Sequence, residues 1–289
     1  MPPIPNNPTK VDGRDVAQTN ELSVLKSVRA FGHLRRSEIA MAVWPSSPSA
    51  SAKKMCSTTV QRMLDKGLLV ERPNILGSMS LALTGRGASR LKLEEMEANE
   101  SASLSSIAGP QFFHRTVGSC YLLEKARQGA KVYGEYSIIK GWAPVTRAEF
   151  SERYKKNPDG LIVVPGVERG YASQITAVDW VEVESSYKPD DELEKIFSIA
   201  WHSGTWLDLR ETILLDRVVF VYDIRQKHES AILAHLRRYL KSNPLDDPER
   251  VLSSIVLVRA RINTPLVWEG FEEVSAWDAL SADATNFIE

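Results

Sequence analysis

The chain has only two cysteines among its 289 residues, Cys56 and Cys120, widely separated and flanked by no partner thiol. That excludes a disulfide scaffold and a cysteine-rich metal knuckle, and it fits a reducing cytoplasm. No uninterrupted apolar run approaches the roughly 18 residues of a membrane span. The opening stretch MPPIPNNPTKVDGRD has no apolar core, so it does not read as a secretory leader. Histidine is scarce as well. His202, His228 and His235 share no ligand spacing, the latter two reading as surface on a helix. No Ser/His/Asp or Cys/His set can be assembled along the linear sequence. Net charge is nearly absent, at −1.

That near-zero sum conceals a division. Residues 1–94 carry about 14 Lys and Arg against roughly 7 acids, which leaves the remainder acidic by about 8 charges. A basic first third suggests a surface that meets a polyanion, double-stranded DNA above all. The acidic remainder suits contacts with a protein partner better than a second grip on nucleic acid.

Periodicity divides the chain further. Residues 1–18 are Pro- and Asn-rich and are expected as a tail. Within 19–97, ELSVLKSVRAFGH places Leu22, Leu25, Val28 and Phe31 on one helical stripe. A shorter helix follows in RRSEIAMAVW, with Ser37 near its start. A third occupies AKKMCSTTVQRMLDKG and stops at Gly67. Two strands, LLVER and SMSLALT, flank a turn at PNILG, and TGRGASRLKLEEME closes the unit. Three helices and a two-stranded wing in so few residues form the pattern of a winged helix-turn-helix, whose third helix enters the major groove. Lys53, Lys54, Ser57, Thr58, Gln61 and Arg62 lie off the apolar stripe of that helix, and Arg72 sits on the wing. These seven are the expected DNA-binding residues. Two-fold operators would make a homodimer natural, although no dimer seam is visible in the sequence.

Residues 98–111, around NESASLSSIAGP, read as a linker, and 276–289 as a C-terminal tail. Between them, 112–275 alternate. A helix at RTVGSCYLLEKARQG precedes a strand at KVYGEYSIIK, an Arg/Glu-rich connection, and strands at GLIVVPG and AVDWVEVES. The helix DELEKIFSIAWHSG, the strand RVVFVYD, the helix HESAILAHLRRYLK and the strand SIVLVRARI complete the order. The expected fold class is therefore a two-domain α+β and α/β chain. Its second domain is a mixed sheet flanked by helices, in the element order of a restriction-endonuclease-like fold.

The acids in that domain carry the chemistry. Pro158-Asp159 and, on the next strand, Glu182-Val183-Glu184 nearly spell the PD-(D/E)XK signature of metal-dependent nucleases, with Glu184 where the signature has lysine. Strand alternation puts Trp180, Glu182 and Glu184 on one face. Asp159 and Glu182 are the candidate ligands for Mg²⁺ or Mn²⁺, which would lower the pKa of an attacking water. Glu135, expected on the first strand, and His114, at the start of the first helix, are further catalytic candidates. Lys195 should point away from the sheet, opposite the stripe of Leu193, Ile196, Phe197, Ala200 and Trp201. Lys188 falls in a loop and cannot be placed. An active nuclease, an ion-binding but inactive site and a structural cluster all remain open on these residues.

In succession, LTGRGASRL, FFHRTVGSCYLLEKAR, GEYSI, NPDGLIVV and DWVEVESS resemble the replication-relaxation family of plasmids and other mobile elements, over roughly residues 20–205. The resemblance implies a winged helix followed by a nuclease-like domain, with His114, Glu135, Asp159, Glu182 and Glu184 at the motif positions. It further implies DNA handling in plasmid replication or transfer, or the regulation of such genes, and an acid at 184 as the usual residue there. The expectation that follows is a sequence-specific DNA-binding protein with an inactive nuclease-like domain; the alternative is a Mg²⁺-dependent endonuclease.

Overall fold

The computed structural model describes residues 12–285 apart from 48, 102, 104, 165–175, 187, 245, 246 and 265. Among the described residues it is a mixed α/β protein with eleven α-helices, a three-stranded antiparallel sheet and a six-stranded mixed sheet. No helix is long and apolar enough to cross a membrane.

Three helices and the small sheet come first. Helix α1 (Gly13–Phe31) starts where the Asp12 carboxylate accepts a hydrogen bond from the Arg14 amide, and it buries Val24, Leu25, Val28 and Phe31. The expected tail thus gives way to helix at Gly13, because Asp12 supplies the N-cap. The two-residue strand β1 (His33–Leu34) leads to α2 (Arg36–Val43). There Glu38, not Ser37, secures the start by accepting from the Arg35 amide at 2.6 Å. Helix α3 (Ser49–Asp65) buries Ala52, Cys56, Thr59, Val60 and Met63 and ends before Gly67, whose φ is +64°. Strands β2 (Leu69–Pro73) and β3 (Met79–Leu83) pair antiparallel, with β1 on the far side of β3, and α4 (Gly85–Lys92) follows.

Within 98–111, expected as a linker, Ala98 and Ser101 are instead fixed in place. Ala98 is buried, and Ser101 exchanges hydrogen bonds with Leu83: its amide donates to the Leu83 carbonyl, and its hydroxyl accepts from the Leu83 amide. One apolar core crosses the expected boundary, joining Val28, Ile39 and Leu81 to Phe112, Val181, Val219 and Ile262. The polar composition of 98–111 hid this, since its anchoring runs through backbone and hydroxyl groups.

The large sheet has the order β4-β5-β6-β7-β8-β9. Helix α5 (Gln111–Arg127) packs on one face. Strand β4 (Lys131–Gly134) is short, because the chain turns into α6 (Glu135–Ile139). Glu135 therefore opens a helix and is not on the strand, as had been expected. A carboxylate there favours the first turn, where helix amides are unpaired. The Arg/Glu-rich connection forms α7 (Arg147–Tyr154), capped reciprocally by Thr146 and Glu149. Strands β5 (Gly160–Val164) and β6 (Thr176–Glu184) pair antiparallel with Gly160 opposite Val181. Helix α8 (Asp190–Ala200) crosses to β7 (Ile213–Asp223), parallel to β6. Helices α9 (His228–Ser242) and α10 (Pro248–Ser253) then lead to β8 (Ile255–Asn263), parallel to β7, and β9 (Val267–Ser275) closes the edge antiparallel. The expected C-terminal tail begins as α11 (Ala276–Thr285), with the Ser275 hydroxyl accepting from the Asp278 amide.

Central strand β6 is buried along nearly its whole length. Val181 and Val183 join the core shared with α5, while Val178 and Trp180 join a second core with Leu193, Ile196 and Phe197 of α8. The acids of β6 are thus enclosed by helices on both faces and do not lie on a solvated outer face.

Candidate functional site

The sheet register decides where the acids meet. Because β5 runs antiparallel to β6 with Gly160 opposite Val181, the residue before β5 lies beside the carboxyl end of β6. Asp159 is pinned there: its amide donates to the Val181 carbonyl at 2.9 Å, and Oδ2 accepts from the Val183 amide at 2.8 Å. Its other oxygen, Oδ1, is 2.9 Å from His114 Nε2. His114 stands in the first turn of α5, and its Nδ1 lies 3.2 Å from the hydroxyl of Ser185, the residue that follows β6. Burial opposes ionisation of Asp159, but His114, Lys188 and the Val183 amide outweigh it and hold the carboxyl below its usual range. Burial likewise disfavours the His114 imidazolium, yet the bond and charge of Asp159 raise its pKa overall.

Glu182 is 1% exposed and held on three sides. The indole of Trp180 donates to Oε1 at 2.7 Å, while Lys156 and Lys188 each place an ammonium 3.2 Å from Oε2. The Lys188 ammonium also lies 2.5 Å from Glu184. Burial, with repulsion from Glu182 and Asp159, nonetheless pushes Glu184 up to about 7. The same acids raise Lys188 against its own burial, so the ammonium is the firmly charged member of the cluster. Glu135 faces Arg115, whose guanidinium donates to Oε1 at 2.9 Å, and burial raises its pKa.

His114, Asp159, Glu182 and Glu184 are therefore brought to one end of the sheet, with Glu135 reaching it from α6. Lys156 and Ser185 are the members that sequence reasoning missed, while Lys188, considered there but not placed, lies on Glu182 and Glu184. Lys156 stands only three residues before Asp159 and offered a signal; for Lys188 the linear chain shows the residue but not its position, because a loop has no period to fix it. Lys195 faces away, paired with Asp191 and Glu192 on the exposed side of α8. His235, read as surface, is in fact buried and lies 3.0 Å from Asp190. Among the described residues no group of three or more His, Cys, Asp and Glu side chains gathers as a cation-ligating set.

A second candidate surface lies on α3. Lys53, Lys54, Ser57, Thr58 and Gln61 are exposed there, and Lys53 and Lys54 have no ion-pair partner among the described residues. Gln61 bonds Asp65 at 3.0 Å within the helix. Arg62 departs from the expectation, since its guanidinium is tied 2.5 Å from Glu21 of α1. Arg72 is exposed on β2. Beside Lys53 a groove of about 920 Å³ separates α2 and α3 from β9, with Trp44 and Trp268 in its walls.

No family model, no curated protein and no solved structure matches this chain.

Proposed function

We propose that the chain is a sequence-specific DNA-binding protein of a mobile element, acting in plasmid replication or transfer or in regulating those genes. The observation that carries this reading is the exposed polar row on α3, where two lysines stand unpaired among the described residues, on the basic part of the chain. Helices α1 to α3 with the β1-β3-β2 sheet are taken as a winged helix, α3 being its recognition helix. The larger sheet, read as restriction-endonuclease-like, serves as a platform for assembly, for a homodimer or for a protein partner, in a cytoplasmic setting. Fluorescence anisotropy with duplex DNA across a salt series tests the reading. Binding weakens steeply with salt, and the Lys53→Ala/Lys54→Ala pair lowers affinity roughly tenfold or more and reduces the salt slope by about 2. An unchanged affinity in that pair overturns it.

A second reading, a Mg²⁺- or Mn²⁺-dependent endonuclease, is favoured by Lys188. Its ammonium sits beside Glu182 and Glu184 and thus supplies the charge that the signature lacks at position 184. Asp159 and Glu182 are the residues to hold the ion, which would activate water for phosphodiester attack. Without it, Lys156 and Lys188 are the counter-charges of Glu182, and Asp159 is held by its contact with His114. Plasmid nicking with either ion, abolished by Asp159→Ala, supports this reading; equal residual nicking in both proteins sinks it.

A further inference from the structure

The sequence presents no Ser/His/Asp set, yet folding builds one from three separate segments. Asp159 precedes β5, His114 opens α5 and Ser185 follows β6. Oδ1 of Asp159 lies 2.9 Å from Nε2 of His114, and Ser185 Oγ lies 3.2 Å from Nδ1. In the neutral imidazole this places the proton on Nε2, donated to Asp159, and leaves the Nδ1 lone pair to accept the Ser185 hydroxyl. A base oriented by a carboxylate and aimed at a hydroxyl is the arrangement that activates a serine. The ring nitrogens are exchanged relative to the serine-protease order, but the roles depend on geometry alone.

Two features fix the set. The Val183 amide anchors the second oxygen of Asp159, so the carboxylate cannot turn away. One turn beyond His114, Gly118 lets α5 approach the strand: a Cβ there would come within 3.0 Å of Val183 Cγ2. A cavity of about 20 Å³, near the size of one water, adjoins His114 and Asp159, with Arg115 and Glu135 on its walls. Ser185 is half-buried, at the carboxyl end of a strand whose neighbour is parallel, the usual place for ligands in open α/β sheets.

We propose that Ser185 is a nucleophile, His114 its general base and Asp159 the positioning residue, and that the group attacked is a DNA phosphodiester. The substrate assignment rests on the DNA-binding reading; the nucleophile assignment does not. Ser185 Oγ forms a bond to phosphorus while its proton passes to His114 Nδ1. The bond from phosphorus to the leaving sugar oxygen breaks, its electron pair stays on that oxygen, and His114 returns the proton there. The products are a phosphoserine-linked strand and a free hydroxyl. The reverse sequence rejoins the strand, and no oxidant or external nucleophile is needed for balance.

The full chain, held in EDTA, is treated with a fluorophosphonate and its adducts are mapped by mass spectrometry. One adduct on Ser185 is expected, formed more than about 100-fold more slowly in His114→Gln and absent at that position in Ser185→Ala. Ser186→Ala labels like the parent. Absence of labelling, or equal labelling in His114→Gln, overturns the nucleophile assignment. Plasmid DNA is then incubated in EDTA and quenched with detergent. A covalent protein–DNA adduct that Ser185→Ala lacks is expected. Its absence from a chain that labels with fluorophosphonate and binds DNA overturns the substrate assignment. Labelling without any DNA binding overturns the DNA-binding reading and leaves the nucleophile standing.

Discussion

The lysines of α3 and the lysines at the end of β6 carry the same charge in opposite settings. Lys53 and Lys54 are exposed and unpaired among the described residues, so a polyanion can engage them at little desolvation cost. Lys156 and Lys188 have side chains 15% and 18% exposed, and each already neutralises buried Glu182. Exposed lysines can recruit a ligand because nothing inside the protein depends on them. Buried ones are committed, since withdrawing one leaves a carboxylate unpaired in a low-dielectric interior. Counted from sequence alone, all four are equal; their burial separates surface recruitment from internal organisation.

The largest effect should come from breaking the committed side. Lys188→Met leaves Glu184 without its cation and removes one of two from Glu182. A loss of about 3–5 kcal/mol is expected in urea unfolding, the cost typical of stranding a buried charge. A loss below about 1 kcal/mol would mean that the cluster is solvated and the contrast false.

Next in size is the pH response of Glu184. Its folded pKa is raised from 4.5 to about 7, so the native state binds more protons than the unfolded chain across that window. Stability conferred at low pH is therefore lost as pH rises from about 4.5 to 7, by at most about 3 kcal/mol. His114, also raised, tilts stability in the same direction at the upper end. Asp159, lowered, acts only below the ordinary carboxylate range. Urea midpoints measured between pH 4.5 and 8 should show a shallower slope in Glu184→Gln than in the parent, and parallel slopes would remove Glu184 from the account.

Smaller still in energy is the DNA loss expected of the Lys53→Ala/Lys54→Ala pair, about 1.4 kcal/mol per tenfold in affinity, with unfolding midpoints unchanged. At the bottom of the scale stands Lys195→Ala. This lysine is exposed and paired only with surface acids, so neither the urea midpoint nor DNA binding should move. Lys188→Met, in turn, should leave the salt slope of DNA binding intact if recruitment belongs to α3.

Much of the architecture was legible because it repeats. The stripe of Leu22, Leu25, Val28 and Phe31 follows the period of α1, and that of Leu193, Ile196 and Phe197 oriented α8 well enough to turn Lys195 outward. Failures fell where local pattern and tertiary demand diverge. Tyr133 to Ile139 reads as one β-prone run, yet the strand ends at Gly134 and α6 packs against α1, the Ser137 hydroxyl donating to the Ala30 carbonyl at 2.7 Å. The polar stretch 98–111 looked unanchored because its attachment to Leu83 is made partly by backbone groups common to every residue. Arg62 lies on the expected face of α3, but Glu21 on a neighbouring helix claims it.

By itself, the sequence determined the helix and strand periods, the partition into a basic first third and an acidic remainder, and the presence of Asp159, Glu182 and Glu184 close to two strands. Those are properties of local composition and spacing. Only the tertiary structure decided what those acids face. Antiparallel register set Asp159 beside Val183, the bare Cα of Gly118 let His114 close over it, and the turn after β6 carried Ser185 and Lys188 back to the same end. Each of these approaches joins residues from different segments or folds a loop back on its strand. The shared apolar core and the hydrogen-bond register stabilise them, and no linear motif encodes either.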